Sequence, residues 1–224
     1  MLLAAGCGGT QRHGVAGARI EKCASLAGAN AAVVRAPLAA FRSPGRGLVA
    51  RFGLRNVNGV DSVFSVLRAT CDGRWLRVQL PIRPNGAAGW VSAARVQTYT
   101  VRTRIVVDVS ARTLRFYDGG RLQLRATVAV GSSATPTPVG RYYVNQKLIP
   151  ADPAGPYGPG ALGISAYSPV LTHWAQGGPV AIHGTNEPWS IGRAVSNGCI
   201  RLPNATLSKL FAETLPGTPV LIRR

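Results

Sequence analysis

The chain has 224 residues, 46% hydrophobic and 15% charged, and no apolar run approaches the about 18 residues of a membrane-spanning helix, so it reads as soluble and globular. Its 27 Gly and 16 Pro follow no fixed period, which excludes collagen and long-helix proteins and predicts many turns between short strands. The net charge of +18 comes from 26 basic residues, 23 of them Arg, against 8 acidic ones; the Arg are scattered singly, with no basic run or aromatic-interleaved stripe, which favours a solvated basic surface attracted to an acidic polymer over a nucleic-acid site.

The opening Met1-Leu2-Leu3-Ala4-Ala5-Gly6-Cys7 resembles the end of a bacterial lipoprotein signal. It lacks the charged start and the apolar core of roughly 7–15 residues that a working signal needs. The favoured expectation for residues 1–29 is a truncated signal and flexible tether, with Cys7 as the lipid anchor of an extracytoplasmic protein; the alternative is a cysteine in a plain tail. In an oxidising compartment Cys23 and Cys71 are the natural disulfide candidates, against the alternative of ordinary buried thiols, and Cys199 is left over.

From 30 to 97 short apolar runs alternate with turn residues. Ala32–Val34, Val63–Leu67, Trp75–Leu80 and Gly89–Val91 predict strands of a small β-barrel or sandwich, with Asn85-Gly86 as a tight turn. The Thr-rich stretch Thr98 to Thr103 reads as a junction to a second unit over 101–224. There Ile105, Val107 and Val109 alternate as a half-buried strand, Leu114–Tyr117 and Leu122–Val130 form a hairpin, and Tyr142–Val144 continues the β pattern. Residues 145–178, rich in Pro and Gly, predict a long loop or lid, lined by Tyr157, Tyr167 and Trp174. Asn204 is expected to cap a short helix that puts Leu207, Leu210 and Phe211 on one face, before a closing strand at Pro219–Ile222.

The chemistry concentrates between Ile182 and Leu202. His183 and Cys199 lie sixteen residues apart. A nearby imidazole activates a thiol and moves protons during acyl transfer, so the two make a minimal nucleophile–base pair. Gly198 lets backbone amides approach a carbonyl, and the amides of Gly198 and Cys199 are candidates to hold its developing charge. Arg201 is a candidate for a substrate carboxylate or a structural ion pair.

His183-Gly184-Thr185, Ile191-Gly192 and Ser196-Asn197-Gly198-Cys199-Ile200-Arg201-Leu202, with Pro136-Thr137-Pro138-Val139-Gly140 upstream and Gly217-Thr218-Pro219-Val220 at the end, resemble the L,D-transpeptidase catalytic domain of bacterial cell-wall enzymes over about 101–224. The resemblance implies a mainly β fold, a β-sandwich with one short helix. It also implies Cys199 as nucleophile and His183 as base, oriented by the carbonyl of Gly184, with Ser196, Asn197, Gly198 and Arg201 completing the site. Many members carry His where this chain has Asn197, which leaves proton transfer to His183 alone. The implied reaction forms 3,3 cross-links between peptidoglycan stem peptides through a cysteine thioester, releasing D-Ala, with no metal or organic cofactor and with carbapenems as inhibitors. Trp75–Val78 and Asn85-Gly86 followed by Gly89–Val91 resemble an SH3-like wall-associated module, a small β-barrel, against the plainer reading of a spacer. Rival readings are a zinc site of His173, His183 and Cys199, a cysteine phosphatase, which would need Arg where Ala205 stands, a catalytically inactive wall-binding protein, and an L,D-carboxypeptidase that uses water as acceptor.

Overall fold

The computed structural model describes residues 29–224. Cys7, Cys23 and the tether expected around them lie outside the described residues, while Cys71 is held in a disulfide. Among the described residues one α-helix accompanies seventeen strands, the mainly β architecture expected, and no helix is long and apolar enough to cross a membrane.

The first sheet contains β1 (Ala29–Val34), β2 (Leu38–Ser43), β3 (Arg46–Phe52), β4 (Val63–Ala69), β5 (Trp75–Gln79), β6 (Ala88–Ser92) and β7 (Val96–Val101), ordered β3-β2-β6-β5-β4-β1-β7. Period-2 alternation explains β5: Leu76 and Val78 point inward onto Phe64, Val66 and Val91, while Trp75 and Arg77 stay half-exposed. The β5–β6 turn runs through Asn85-Gly86 as expected, with Gly86 at φ +82°. The Thr-rich junction is corrected. Thr98–Val101 pairs with β1 across the sheet, and only Arg102 separates it from the next strand, because β-branched Thr suits a pleated, half-buried ladder as well as a linker.

The second unit contains β8 (Thr103–Asp108), β9 (Thr113–Asp118), β10 (Arg121–Thr127), β11 (Val130–Gly131), β12 (Gly140–Leu148), β13 (Ala161–Tyr167), β14 (Pro179–His183), β15 (Ala194–Ser196), β16 (Ile200–Arg201), α1 (Asn204–Glu213) and β17 (Pro219–Arg223). Eight strands are ordered β10-β9-β8-β17-β12-β13-β14-β16, and β11 pairs with β15. The long β12 forms the corner. Its first half pairs with β17, its second half with β13, and a bulge between Val144 and Gln146 turns it. The sheet thereby folds over one core: Ile105, Leu114, Phe116 and Val220 meet Leu162, Ile164, Ile182 and Ile200, closed by Leu207 and Leu210 of α1.

Two expectations change here. The supposed lid contains β13, whose first six residues are buried; a strand covered on both faces shows no alternation, which is why its sequence resembles loop. Asn204 starts the helix but does not cap it: Pro203 holds the cap position without a side-chain bond, and Asn204 Oδ1 accepts the Thr185 N–H at 2.7 Å. The two sheets are bonded together. The buried Tyr143 hydroxyl donates to the Val63 carbonyl at 3.1 Å, Asn85 and Tyr167 exchange two bonds at 2.8 Å, and Arg83 Nη2 donates to the carbonyls of Ser168 and Gly177. Tyr167 donates its hydroxyl to Pro81 O at 2.6 Å, so it serves this contact.

Candidate active site

The sheet ends in a short parallel pair in which Ile182 lies opposite Ile200 and His183 opposite Arg201. Side chains alternate along each strand. Ile182 and Ile200, 0% exposed, enter the core, and Ala181, His183, Cys199 and Arg201 therefore share the other face. Parallel pairing turns the sixteen-residue separation of His183 and Cys199 into a diagonal relation on one face, with Cys199 just before β16 and His183 opposite Arg201.

The turn before the cysteine is fixed from two sides. Ser196 Oγ donates to the Cys199 carbonyl at 2.6 Å and accepts the Gly198 N–H at 3.1 Å. From the preceding Thr-Pro-Thr loop, Thr135 Oγ1 donates to Ser196 O and Thr137 Oγ1 donates to Gly198 O, both at 2.9 Å. Gly198 adopts φ +113°, a region that L side chains rarely enter, so glycine is needed for the backbone conformation itself. The Gly198 amide, expected to face an incoming carbonyl, is taken by Ser196; none of these bonds uses the Cys199 amide, which is left for that task. Asn197 is exposed on the turn.

Cys199 is a partly exposed free thiol whose Sγ accepts the Ala181 N–H at 3.4 Å. Burial pushes its pKa above the usual thiol value, while the Ala181 bond and the Arg201 charge pull it back. His183 is 4% exposed, and burial lowers its pKa to about 4, against the raising effect of the Gly184 bond and with further lowering by Arg201. The resting pair is thus neutral thiol and neutral imidazole. His183 Nδ1 lies 2.5 Å from the Gly184 carbonyl; a carbonyl only accepts, so Nδ1 carries the proton and Nε2 keeps its lone pair. A neutral imidazole with a free Nε2 lone pair is the form that can take a proton from a thiol, with no ion pair held beforehand.

Gly184 can hold this position because it lacks a side chain: a Cβ there would lie 2.4 Å from Asn204 Oδ1 and 2.9 Å from Pro159 Cδ. Tyr157 stands edge-on to the His183 ring, with centroids 5.0 Å apart, so of the three aromatics expected to line the site this one meets the imidazole. Arg201 Nη1 pairs with Glu187, and Arg201 Nε is buried without a partner. Glu187 was missing from the sequence-based set. Its signal is that it is the single acidic residue between Ile182 and Leu202, but acidity alone does not disclose which Arg it faces. The Thr135 and Thr137 clamps and the Asn204 acceptor were likewise hidden, since each joins segments far apart in the chain. Among the described residues no three His, Cys, Asp or Glu side chains gather as metal ligands, so His173 does not join His183 and Cys199.

The family model of the L,D-transpeptidase catalytic domain, YkuD, matches residues 102–222. YkuD of Bacillus subtilis, which carries an L,D-transpeptidase name, is 37% identical over 126 residues, covering 56% of this chain and 69% of its own. The YkuD protein of Bacillus licheniformis is 39% identical over 123 residues, covering 55% and 67%. The NMR structure of the catalytic domain of an L,D-transpeptidase from E. faecium shares 27% identity, covers 54% of this chain and 96% of that one, and superposes with a TM-score of 0.40.

Proposed function

We propose, from the premise that this chain belongs to the L,D-transpeptidase catalytic-domain family, that it forms 3,3 cross-links in peptidoglycan through a thioester on Cys199. The observation that carries this reading is the His183 Nδ1 to Gly184 carbonyl bond, which fixes the tautomer of a ring on the same sheet face as the thiol. As Cys199 Sγ attacks the carbonyl of the third stem residue, its proton passes to His183 Nε2. The new S–C bond leaves a tetrahedral oxyanion, for which the Cys199 amide is the available donor. Collapse breaks the C–N bond, and Nε2–H protonates the departing D-Ala amine. The side-chain amine of a second stem then attacks the thioester, gives its proton to Nε2, and the proton returns to sulfur as the amide forms. Arg201, held by Glu187 on one arm, supplies positive charge beside the site for an anionic substrate group. No step calls for a metal or organic cofactor.

The site lies in the cell envelope, outside the cytoplasm; the disulfide at Cys71 supports an oxidising compartment. A net charge of +18 favours association with an anionic wall, and the first sheet acts there as a wall-associated module. The test is intact-protein mass spectrometry after incubation with a carbapenem and, separately, with a disaccharide tetrapeptide. Wild type gains a covalent adduct and yields a cross-linked dimer, and Cys199→Ala does neither. Release of D-Ala without dimer reassigns the chain as an L,D-carboxypeptidase, and normal turnover by Cys199→Ala overturns the mechanism.

A further inference from the structure

The first sheet meets the second unit over part of its surface only. A cavity of about 360 Å³ lies between them, crossed by the amide chain Gln176–Asn58–Gln146. Gln146 pairs with Gly163 and Gly163 with Ala181, which puts this cavity on the face of the second sheet that carries Cys199. Gln79 of β5 adds a bond of 2.8 Å from Nε2 to the Arg141 carbonyl. Two residues back along β5, at Arg77, the same face reaches solvent.

That open part carries a row that no stretch of the chain displays. Strand register places Leu48, Phe41, Trp90, Arg77 and Arg68 side by side across β3, β2, β6, β5 and β4, and none of the five belongs to the core beneath the sheet. Arg68 joins the row through a bulge between Val66 and Arg68; without the extra Leu67, alternation would turn Arg68 inward. Five strands make the row about 19 Å long. Trp75, on the same face, stands edge-on to Phe41 with centroids 6.0 Å apart, and a groove of about 370 Å³ runs from these two rings to Arg51 and Arg95.

The row is charged at one end and apolar at the other. Arg68 reaches across β5 to lay its guanidinium over the Trp90 ring at 5.1 Å, with Arg77 between the two positions. Like charges directly opposite on neighbouring strands repel, and among the described residues neither Arg forms an ion pair. Residues 29–101 hold ten Arg against Asp61 and Asp72, and Asp72 is engaged by Thr70 and Arg74. An anion lodged at Arg68 and Arg77 removes the repulsion, and a guanidinium fork holds a carboxylate by two bonds.

We infer that this face binds a linear acidic polysaccharide, its carboxylates at Arg68 and Arg77 and its ring C–H faces against Trp90, Phe41 and Trp75. The inference deepens the reading of the first sheet as a wall-associated module and does not depend on the chemistry at Cys199. Shape selects a polymer: the row is longer than one sugar and open at both ends, whereas small molecules take concave pockets. The rings select a glycan over a nucleic acid. A base needs a flat, open aromatic face, but Arg68 covers Trp90, and Phe41 and Trp75 meet edge to face; a sugar needs only C–H contact.

The experiment is a ¹⁵N NMR titration of the full chain with a hyaluronan hexasaccharide, chitohexaose and hexathymidylate. The acidic hexasaccharide shifts the indole N–H of Trp75 and Trp90 and the Nε–H of Arg68 and Arg77, and binds at least tenfold more tightly than neutral chitohexaose. Arg68→Gln combined with Arg77→Gln weakens it at least tenfold, and Arg68→Lys, which keeps the charge and loses the fork, about threefold. The control is Arg115→Gln combined with Arg125→Gln, which removes the same charge from a second cross-strand Arg pair whose neighbour in the row is Val106; it leaves binding within about twofold. All four Arg are exposed or half-exposed, so these variants keep the fold. Absence of the shifts at millimolar hexasaccharide, equal binding of chitohexaose, tighter binding of hexathymidylate, or equal loss in the two double variants overturns the inference. Pelleting with purified cell walls reads the broader association separately: pelleting without the shifts leaves wall association standing and removes this site, and shifts without pelleting do the reverse.

Discussion

The cysteine turn and the inter-sheet cavity stand on one face of one sheet, yet their polar groups are wired in opposite ways. Around Cys199 the Ser196 and Thr137 hydroxyls and the Gly184 and Gly198 carbonyls are paired within the protein, which holds the Cys199 turn and the His183 ring in place. In the cavity the amide chain Gln176–Asn58–Gln146 leaves Gln146 Nε2 and Gln176 Oε1 without partners, and Asn145 Oδ1 on the same strand as Gln146 is buried unpaired. The contrast teaches that the protein pairs the polar groups around the thiol with its own bonds, and leaves some of those around the cavity unpaired. Arg201 lies between the two cases, with Nη1 paired to Glu187 and Nε free.

The largest effect expected from breaking this rigid end comes at His183. His183→Gln lowers kcat/KM by roughly 10²–10⁴-fold, and the acid limb of the wild-type profile, set near pH 4 by the depressed imidazole, disappears with it. An acid limb near the ordinary imidazole value would contradict the buried, neutral resting state. Stability follows the same ring. Its folded pKa lies below its unfolded value of 6.5, so the unfolded chain binds the extra proton, and stability is full above about 6.5 and falls as pH drops toward 4. The loss is on the order of 3 kcal/mol, and urea titrations of His183→Gln show it absent.

A smaller effect is expected at the support beneath the ring. Asn204→Ala removes the 2.7 Å bond that fixes the Thr185 amide beside Gly184 and leaves a donor unpaired. It lowers unfolding free energy by about 1–2 kcal/mol, measured by denaturant melts, with activity falling further than stability because the Gly184 carbonyl is released. If activity and stability are both unchanged, Asn204 does not support the site. The smallest stability effect belongs to Glu187→Gln, about 0.5–1 kcal/mol after allowing for the 43% exposure of the Glu187 side chain. Its sharper readout is kinetic: KM rises more than kcat falls, because Arg201 loses the partner that aims it. An unchanged KM would make the pair structural.

The candidate site residues were legible because the motifs that carry the family resemblance are local. Ser196, Gly198 and Cys199 make one turn, His183 and Gly184 are adjacent, and short-range geometry is written in consecutive residues. Strands such as β5 were legible by alternation. β13 was not, because burial on both faces erases the period, and β2 and β3 were not, because Arg and Ala in Leu38–Ser43 and Arg46–Phe52 give no clean two-residue pattern.

By itself the sequence determined the mainly β character and, through its resemblance to a family, pointed to Cys199, His183 and the Gly184 carbonyl as the candidate site. Only the tertiary structure decided that His183 is buried, that Glu187 holds Arg201, that Asn204 serves Thr185 instead of a helix end, and that a cavity lies between the two sheets. The physical reason is range. Turn chemistry and periodicity act over a few residues, whereas desolvation and hydrogen bonds between residues 58 and 146, or 185 and 204, exist only once distant segments have packed.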